Sequence, residues 1–458
     1  MNDQHVHFMG IGGISMGGLA RHLARDGVRV SGCDLTADAD VRRTLAETGI
    51  EVYEGHDPAH VTGIDRLVVS AAIPSDHPEL EAARAAGVEV WRRMDVLGEL
   101  FSQYQALGVT GTHGKSTTSG MLATILMAAG VDPSVQLGAF HPELEGVMRH
   151  GDGAHLVAEV DESDPGFGQL HADTAVITNL EDDHVAGKHD ERRTYHANLE
   201  ALERTTQAYA DGAARLVYCR DWDALHDLVK HHPNAVTYGE HPEADVRIVN
   251  LQPEPSGSTF EIHGLGDPVE VTLQVPGRHN ASNAAAALTA AVVGADVSAR
   301  AAAEALQRFA GVGRRWQRWP DLRGAWLVDD YAHHPTEVRV TLEAAVASGR
   351  RVRAVLQPHR WVRTAQHWPA LADAASLASE VLVLDVYGAG ERPIPGVSPA
   401  QIVERIRRHG AQAAHHDVAS AVRYLRSSVE PNDLVITLGA GDVWKVVRSL
   451  AEPPEVPA

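Results

Sequence analysis

The chain has 458 residues, more than one hydrophobic core supports, so we expect two to four domains of about 100–200 residues each. Its 44% hydrophobic and 22% charged residues are typical of a soluble globular protein. A formal net charge of -21 argues against a nucleic-acid-binding protein, which normally carries a basic face. An acidic protein that binds an anionic ligand must instead concentrate its Lys and Arg residues locally.

The sequence features that direct a protein into a membrane are not found. Residues 1–8 carry no basic or apolar signal-peptide region, and no apolar run approaches the roughly 18 residues of a membrane span. Two cysteines, Cys33 and Cys219, are too few for a disulfide framework. We therefore expect a cytoplasmic monomer or homodimer with no membrane partner and no nucleic-acid partner.

Residues 1–104 predict a Rossmann-like domain with a parallel, doubly wound sheet, because strands and helices alternate. The predicted strands lie at 5–9, 28–34, 67–70 and 88–90, and the predicted helices at 19–26 and 79–86. The first strand runs into the turn Gly10-Ile11-Gly12-Gly13. The turn resembles a dinucleotide fingerprint with Ser15 in place of the third glycine. Asp34 ends the second strand, where an acid can contact a ribose hydroxyl. The turn could bind NAD, a UDP-sugar or no ligand.

Residues 105–311 predict a central P-loop-type ATPase domain with a parallel sheet. A strand at 106–109 and a helix at 116–129 flank the loop Gly111-Thr112-His113-Gly114-Lys115-Ser116-Thr117. In such a loop, backbone N–H groups bind phosphate, Lys115 reaches the terminal phosphates and Ser116 offers a hydroxyl to Mg²⁺. The loop is a variant of the Walker motif, because Val109 stands where the strict pattern has glycine. The alternative interpretation is a glycine-rich turn that contains a lysine by chance.

Polar residues follow two further predicted strands of this domain, at 155–160 and 175–178. Glu159 and the acidic run that ends at Asp164 suit Mg²⁺, which prefers oxygen ligands. His184 follows the second of these strands and could bind a metal ion or orient a nucleophile. Taken alone, each group is also compatible with an ordinary surface turn.

The last part of the central domain contains an antiparallel extension and an alanine-rich helix. Residues 246–275 alternate between apolar and polar and carry Gly and Pro turns, which predicts the extension. The helix is predicted at 280–293. Asn280 and Asn283 at its start could contact adenine or ribose, or Asn280 could simply cap the helix.

Residues 312–458 predict a second Rossmann-like domain, with buried strands at 353–356, 381–384 and 434–438. Arg314 and Arg315 stand near its start, and a guanidinium group suits phosphate. The remaining polar candidates follow predicted strands and could belong to a site or to loops; they are Asp329, Asp330, His333, Arg360 and Arg363.

The order of these motifs resembles that of the Mur ligase family over nearly all of the chain. The resemblance is carried by Phe8-Met9-Gly10-Ile11-Gly12-Gly13, Gly111-Thr112-His113-Gly114-Lys115-Ser116-Thr117-Thr118, Asp161-Glu162-Ser163-Asp164, Gly277-Arg278-His279-Asn280, Gly313-Arg314-Arg315, Asp330-Tyr331-Ala332-His333-His334-Pro335-Thr336-Glu337, Gln357-Pro358-His359-Arg360 and Gly439-Ala440-Gly441-Asp442. The Gly-Thr-Asn segment usual in the family is not recognisable between residues 136 and 151.

The resemblance implies an ATP-dependent acid–amino-acid ligase of peptidoglycan precursor synthesis that uses ATP and Mg²⁺. Its small-molecule substrates would be UDP-N-acetylmuramate, L-alanine and ATP, and the reaction would pass through an acyl phosphate. One alternative is a Mur-type ligase that attaches a recycled tripeptide to the same nucleotide sugar. A catalytically silent nucleotide-binding protein and an NAD oxidoreductase are alternatives from other classes, although the oxidoreductase leaves the loop at 111–117 unexplained.

The resemblance also implies a role for each candidate residue. The implied catalytic residues are Lys115, His184, Arg315 and His333. ATP would be bound by Gly111, Thr112, His113, Gly114, Lys115, Ser116, Thr117, Asn280, Asn283, Arg315 and Asp329 or Asp330. The UDP-sugar would be bound by Gly10, Gly12, Gly13, Asp34, Ser70, His184, Arg360 and Arg363. The metal ligands would be Ser116, Glu159 and His184.

Overall fold

The computed structural model describes residues 4–35, 39–70, 73–183, 185 and 196–452. These residues form three α/β units, each with its own sheet and its own helices. We call these units the first, second and third layers, in chain order. The three-domain α/β architecture expected from the sequence is therefore confirmed. Across the described ranges, no helix combines the length and the apolar character that crossing a bilayer requires.

The first sheet is entirely parallel. Its strands are β1 (His5–Met9), β2 (Arg29–Asp34), β3 (Glu51–Glu54), β4 (Arg66–Val69) and β5 (Glu89–Arg92), and its helices are α1 (Ile14–Arg25), α2 (Ala39–Ala46), α3 (Pro78–Ala85) and α4 (Arg93–Gln103). The strand order is β3-β2-β1-β4-β5. The turn after β1 therefore opens where the strand order reverses, which is where open α/β sheets bind ligands.

Helix α1 begins at Ile14, five residues before the predicted start at 19. The prediction was wrong because the glycines before Leu19 are needed for packing and do not break the helix. A side chain at Gly17 would press on the Ile11 carbonyl, and one at Gly18 would collide with Gln136 of the second sheet.

The second sheet is larger and mixed. Its strands are β6 (Gln105–Thr110), β7 (Ser134–His141), β8 (Gly146–Arg149), β9 (His155–Glu159), β10 (Thr174–Ile177), β11 (Arg215–Cys219), β12 (Ala235–Gly239), β13 (Val246–Glu254), β14 (Gly257–His263) and β15 (Val269–Leu273). Its helices are α5 (Lys115–Ala128), α6 (Leu199–Asp211), α7 (Asp223–Val229), α8 (Arg278–Ala295) and α9 (Ala299–Leu306). The order is β15-β14-β13-β12-β11-β10-β6-β9-β7-β8.

Strand β6 lies between β9 and β10 and is parallel to both, so the loops that follow these three strands meet at one edge of the sheet. Strands β13, β14 and β15 are antiparallel to one another, as predicted for residues 246–275. Helices α5 and α8 pack together, and α8 is buried over most of its length because its alanines allow a close approach.

The third sheet has its own helices on both faces. Its strands are β16 (Gln317–Leu322), β17 (Ala325–Asp330), β18 (Arg351–Leu356), β19 (Glu380–Val383), β20 (Gln412–His415) and β21 (Asp433–Leu438), and its helices are α10 (Pro335–Ala347), α11 (Trp361–Ala375), α12 (Pro399–Arg408), α13 (Val418–Ser428) and α14 (Trp444–Ala451). The order is β16-β17-β21-β18-β19-β20, and all pairs except β16–β17 are parallel.

The first two sheets share a hydrophobic core. One apolar cluster contains Phe8 and Leu19 of the first layer together with Leu156 and Ile177 of the second. The described part of the third layer has separate apolar clusters on the two faces of its own sheet. The first and second layers are therefore joined by apolar packing, while the third layer carries its own core.

Candidate active site

The phosphate loop after β6 requires its glycines. Gly111 and Gly114 have φ angles of 125° and 85°, which side-chain-bearing residues rarely adopt. A Cβ at Gly111 would collide with Thr178, and a Cβ at Gly114 would collide with Asn283. The loop thus passes close to the segments that follow β10 and begin α8.

The segment after β10 holds the phosphate loop in place. The backbone N–H of His113 donates to Asn179 Oδ1 at 2.8 Å. The His113 carbonyl accepts from Thr178 Oγ1 at 2.5 Å and from Asn179 Nδ2 at 3.0 Å. Because Thr178 and Asn179 follow a strand that pairs with β6, the parallel sheet itself fixes the shape of the loop.

Lys115 begins α5, and its ammonium group is surrounded by oxygen atoms. Its Nζ donates to the carbonyls of Gly111 and Thr112 at 2.7 and 3.1 Å and lies 2.5 Å from Glu162 Oε2. Burial acts to lower the pKa of Lys115, but the charges of Glu162, Asp161 and Glu159 and the contact with Glu162 together outweigh it, so the pKa is raised. Burial raises the pKa of Glu162 to about 7 even though the ammonium opposes the shift. The ammonium thus stays charged beside the phosphate loop.

Ser116 and Glu159 form an oxygen-rich corner on the other side of Lys115. The Ser116 hydroxyl donates to Glu159 Oε1 at 3.0 Å, and the Gly138 N–H donates to Glu159 Oε2 at 2.8 Å. A side chain at Gly138 would collide with the Glu159 carboxylate, so glycine is required there. Hydroxyl and carboxylate oxygens are ligands that Mg²⁺ prefers, and this pair therefore fits such an ion.

The other acids of the run after β9 have different partners. Asp161 Oδ2 lies 3.0 Å from Arg93 of α4, and Asp164 Oδ2 lies 3.6 Å from the same guanidinium group. The acids of this run therefore have separate partners, and its binding of Mg²⁺ stays a prediction. Only Glu159 contacts Ser116, while Asp161 and Asp164 join the second layer to the first.

A cavity of about 430 Å³ opens beside the phosphate loop, between the second and third layers. Its volume lies within the range of small-molecule binding sites, about 300–1,000 Å³. The sequence-predicted residues that line it are His113, Gly114, Thr117, Asn280, Asn283, Arg315 and Asp330. Residues from two layers thus converge on one cavity.

Asn280 and Asn283 lie on the buried side of α8, and their amide groups are held in place. Asn280 Nδ2 donates to the Pro276 carbonyl at 2.7 Å, and Asn283 Nδ2 donates to Asn280 Oδ1 at 3.3 Å. Thr118 Oγ1 donates to Asn283 Oδ1 at 3.3 Å. The N-cap of α8 is Gly277, so Asn280 does not cap the helix and its amide faces the cavity instead.

The two neighbouring arginines have different surroundings. Arg314 Nε lies 3.1 Å from Asp329, and its Nη2 donates to the Gly439 carbonyl at 2.6 Å. Both partners belong to the third layer, so Arg314 stabilises that layer. Arg315 lines the cavity, with its guanidinium 4.8 Å from the Tyr331 ring centre. Its Nη1 lies 3.8 Å from Glu337. Arg315 is therefore the arginine that faces the cavity.

The two neighbouring aspartates are likewise distinct. Asp329 is buried, pairs with Arg314 and accepts from the Thr437 hydroxyl at 2.6 Å, and it does not line the cavity. Its contact with ATP stays a prediction that the cavity lining does not support. Asp330 lines the cavity, and burial raises the pKa of its carboxyl group to about 6. Asp330 is therefore the aspartate that a nucleotide in the cavity can reach.

His113 links the second layer to the third. Its Nε2 lies 2.7 Å from Glu181 Oε2, and its Nδ1 lies 3.3 Å from Glu337 Oε1 at the start of α10. Thr336 of α10 also donates to Glu181 Oε1, at 2.9 Å. Burial acts to lower the pKa of His113, but the hydrogen bonds and charges of the two glutamates raise it to about 9.

A second set of polar contacts joins these layers near the end of β10. Arg363 Nε donates to Asp183 Oδ1 at 3.0 Å, and both side chains are buried. Arg360 pairs with Glu391 at 2.5 Å, and both arginines border the small cavity that Asp183 also lines. His184, expected to bind a metal ion, lies outside the described residues.

His333 lies beside this second set of contacts and does not line the large cavity. Its Nδ1 lies 2.9 Å from the Tyr331 carbonyl, and its ring meets the His359 ring edge-to-face at 5.6 Å between centres. Burial lowers the pKa of His333 to about 3 and that of His359 to about 2. Both rings are therefore neutral near pH 7.

The glycine-rich turn of the first layer lies at its predicted place after β1. Gly10 and Ile11 donate their N–H groups to the Cys33 carbonyl at 2.8 and 3.2 Å. The Gly12 N–H donates to Asp34 Oδ2 at 2.9 Å, and Gly10 packs tightly against Ser70 after β4. Gly13 is the N-cap of α1. Asp34 and Ser70 thus flank the turn from the two strands that neighbour β1.

Several contacts of this site were not predicted from the sequence. Glu162 contacts Lys115, Gly138 contacts Glu159, and Glu181, Thr336 and Glu337 join the second layer to the third. Glu337 had a recognisable signal, because His334-Pro335-Thr336-Glu337 has proline at the first helical position and an acid two residues later. The other contacts depend on how distant segments meet.

Three family models match consecutive parts of the chain. Residues 5–105 match the model described as "Mur ligase family, catalytic domain", residues 109–291 match "Mur ligase middle domain" and residues 314–441 match "Mur ligase, glutamate ligase domain". Together the matches cover all three layers.

Curated relatives are similar over almost the full chain. A UDP-N-acetylmuramate–L-alanine ligase from Deinococcus radiodurans is 46% identical over 97% of this chain and 93% of its own. One from Symbiobacterium thermophilum is 42% identical over 99% and 95%. Among solved structures, a UDP-N-acetylmuramate–alanine ligase from Thermotoga maritima has a TM-score of 0.81, 26% identity and 98% coverage of both chains. A murein peptide ligase from Psychrobacter arcticus shares the fold, with a TM-score of 0.70 at 22% identity over 99% of this chain and all of its own.

Proposed function

The chain belongs to the Mur ligase family, and on that premise we propose that it joins L-alanine to the lactyl carboxylate of UDP-N-acetylmuramate, with cleavage of ATP to ADP and phosphate. One observation carries the proposal: the phosphate loop, the asparagines of α8 and the Arg315–Asp330 pair of the third layer converge on one nucleotide-sized cavity. The relatives named for this reaction are similar across all three layers, which supports the same activity here.

The reaction moves the γ-phosphoryl group of ATP to a carboxylate. The lactyl carboxylate oxygen attacks the γ-phosphorus, ADP leaves and an acyl phosphate forms. The amine of L-alanine then attacks the acyl carbon, loses a proton, and the amide forms as phosphate leaves. Phosphoryl transfer of this kind depends mainly on positioning and on offsetting the charge of the transferring group.

Lys115 and Arg315 supply the positive charge that the transferring phosphoryl group needs. Lys115 lies at the N-terminus of α5, where the helix dipole also favours an anion. Its Nζ lies 2.5 Å from Glu162 Oε2, and a bound phosphate would take the place of that carboxylate beside the ammonium. Arg315 lines the cavity beside the phosphate loop from the third layer, so closure of that layer would bring its charge toward that of Lys115.

Ser116 and Glu159 would hold Mg²⁺, and the bound ion would offset charge on the β- and γ-phosphates. The Ser116 hydroxyl lies 3.0 Å from one oxygen of Glu159, and the Gly138 N–H holds the other oxygen in place. We propose that His184 contributes to a second metal site near the substrate carboxylate.

The nucleoside end of ATP would lie deeper in the cavity. We propose that Asn280 and Asn283 contact adenine, because their amide groups are buried and held at fixed orientation. Asp330 would accept a hydrogen bond from a ribose hydroxyl. Gly111 to Thr117 would then surround the phosphates with backbone N–H groups.

The UDP-sugar would lie along the first layer and extend toward the other two. Gly10, Gly12 and Gly13 would supply backbone N–H groups to its phosphates, while Asp34 and Ser70 flank the turn. We propose that His333, Arg360 and Arg363 face the reacting centre from the third layer.

We accordingly propose three functional domains: 1–104 for the UDP-sugar, 105–311 for ATP and 312–458 for the amino acid and for closure. We also propose that the chain acts in the cytoplasm as a monomer or homodimer. Its two buried free thiols fit a reducing compartment.

A phosphate-release assay over a panel of acceptors tests the proposal. The purified chain receives ATP, Mg²⁺ and UDP-N-acetylmuramate with L-alanine, L-serine, glycine or the tripeptide of recycled peptidoglycan. We expect release above the ATP-only rate with L-alanine and formation of the UDP-linked alanine amide by mass spectrometry. Release with the tripeptide but not with L-alanine would instead establish the recycling ligase. No release with any acceptor would leave a silent nucleotide-binding protein.

A further inference from the structure

The first layer buries a cluster of side chains for which the proposed ligation has no use. It consists of His7, Cys33, His56, His60 and Glu79, and we call it the β1–β2 cluster. Four of its members, His7, Cys33, His60 and Glu79, place one potential ligand atom each within 4.8 Å of all the others. The cluster lies on the opposite face of the sheet from α1 and directly beneath the glycine-rich turn.

The sheet brings these residues together through its alternating pattern. His7 of β1 and Cys33 of β2 project from the same face, because β1 and β2 are parallel and Met9 is the register partner of Cys33. His60 lies in the helical turn Pro58–Val61 after β3. Glu79 lies in the first turn of α3, which packs on this face.

Glu79 is the anion at the centre of the cluster. It is 0% exposed, and its ion-pair contacts among the described residues are with histidines alone. A buried carboxylate without a Lys or Arg partner requires another source of positive charge, because burial of an uncompensated charge is costly.

The histidine rings are oriented as they are in metal sites. Ser31 Oγ lies 2.8 Å from His7 Nδ1, so the His7 Nε2 atom faces the cluster. That Nε2 atom is buried and makes no hydrogen bond, its nearest carboxylate oxygen being Glu79 Oε1 at 3.4 Å. The Tyr53 ring stacks on the His60 ring with 4.7 Å between centres. A hydrogen-bonding partner such as Ser31 fixes the tautomer and the direction of a ligating imidazole, whereas stacking fixes only the plane of the ring.

We propose that His7, Cys33, His60 and Glu79 bind one divalent cation of the Zn²⁺ class in tetrahedral geometry. Ligands at about 2.0–2.3 Å from zinc lie about 3.3–3.8 Å from one another in a tetrahedron. The Glu79 carboxylate lies 3.4 Å from His7 Nε2, 3.4 Å from Cys33 Sγ and 3.3 Å from His60 Nδ1. These three distances already fall in the tetrahedral range, and the other pairs of ligand atoms lie within 4.8 Å of each other.

The donor chemistry favours zinc over magnesium, and the donor charges balance a divalent cation. Thiolate and imidazole ligands select zinc-like ions, whereas Mg²⁺ prefers oxygen alone. Binding would release the Cys33 thiol proton to solvent, and the thiolate and the Glu79 carboxylate would together neutralise a divalent cation. The bound site would then carry no net charge, which suits its burial.

The cluster contacts the glycine-rich turn through Cys33, so a bound ion would have a structural role. The Cys33 carbonyl accepts the N–H groups of Gly10 and Ile11, so a ligand bond to Cys33 would hold the glycine-rich turn against the sheet. The ion would thus fix the shape of the turn proposed for the UDP-sugar without contacting the substrate.

Cobalt spectroscopy tests this site without any use of the ligation reaction. The full chain, freed of any affinity tag, is stripped with a chelator and titrated with Co²⁺ in excess Mg²⁺. We expect about one equivalent to bind, with a thiolate-to-cobalt charge-transfer band in the near ultraviolet and the visible bands of tetrahedral cobalt. Metal analysis of the protein purified without chelator should give about one zinc per chain.

Matched variants identify the ligands. Cys33→Ser should remove the charge-transfer band, whereas Cys219→Ser should keep it, because Cys219 is also buried but belongs to no such group of ligands among the described residues. His60→Ala, at a partly exposed position, should weaken cobalt binding at least tenfold while circular dichroism shows a folded protein. If wild type binds no equivalent of Co²⁺ or Zn²⁺, or if Cys33→Ser keeps the band, the proposal is wrong; the wild-type titration decides even if Cys33→Ser does not fold.

Discussion

The turn after β1 and the loop after β6 share one local design, a strand that runs through glycines into a helix, but their surroundings differ. The first turn is held by a backbone carbonyl, that of Cys33, and by the Asp34 carboxylate. The second loop has a lysine at the start of its helix and carboxylates within reach of both Lys115 and Ser116.

The comparison separates binding of a phosphate from its transfer. Backbone N–H groups at a helix N-terminus are sufficient to bind an anion, and both loops provide them. Transfer also needs a positively charged side chain that stabilises the phosphoryl group as it moves. Among the described residues of the two loops, only Lys115 carries such a charge. The first turn therefore suits a substrate phosphate that stays intact, and the second suits one that is cleaved.

Removal of the lysine should give the largest effect. We expect Lys115→Ala to lower kcat by about 10²–10³-fold or more, because the charge of the transferring group is no longer offset. Binding of the UDP-sugar, measured by calorimetry, should be unchanged, since the first turn is untouched. Lys230→Ala is the control: Lys230 is a surface lysine of the same layer, paired with Asp227, and its loss should leave kcat at the wild-type value.

Glu159→Gln should shift the Mg²⁺ requirement. Loss of this carboxylate should raise the Mg²⁺ concentration for half-maximal rate by about 10–100-fold, because one charged ligand becomes neutral. Glu162→Gln is the matched control, since Glu162 contacts Lys115 and not Ser116. An equal shift of the magnesium midpoint in both variants would contradict the distinction between the two glutamates.

Asp34→Asn should affect the first turn alone. A hydrogen bond to a charged group contributes about 1.5 kcal/mol or more, so we expect about a tenfold rise in KM for the UDP-sugar. KM for ATP should remain at the wild-type value. If KM for ATP rises equally, the two loops are not independent and the comparison above does not hold.

The smallest effect concerns the pH dependence of the contact between the second and third layers. The pKa of His113 is raised to about 9, above its ordinary value of 6.5, so the stability it contributes is complete below pH 6.5 and is lost as the pH rises through 9. We expect the midpoint temperature of thermal unfolding, measured by calorimetry, to fall by about 2–4 °C over this pH range. His113→Asn should flatten this dependence, and a slope unchanged in that variant would assign it to another group.

Local pattern was enough to predict the fold class and the strands after which the phosphate loop and the glycine-rich turn lie. Alternation of strands and helices predicts parallel sheets, and the loop at 111–117 lies at the end of β6 as expected. Pattern could not distinguish Asp329 from Asp330, because adjacent residues of a strand face opposite sides and only the packing shows which side is the cavity. It also could not show that Gly17 and Gly18 serve the contact between two layers.

Contacts between layers were beyond the reach of sequence for a different reason. Arg363 and Asp183 are 180 positions apart, and no sequence motif indicates that the two residues pair. The same holds for Thr336 and Glu181. Such pairs depend on how whole layers are docked, which a single sequence does not specify.

The shared core of the first two layers has a consequence for unfolding. Because Phe8 and Leu19 pack in one cluster with Leu156 and Ile177, neither layer can lose its structure without exposing apolar surface of the other. The third layer has its own clusters and meets the second through polar pairs at the site. The chain should therefore unfold in two cooperative transitions instead of three. A nucleotide bound between the second and third layers should bring the midpoint temperatures of these two transitions closer together.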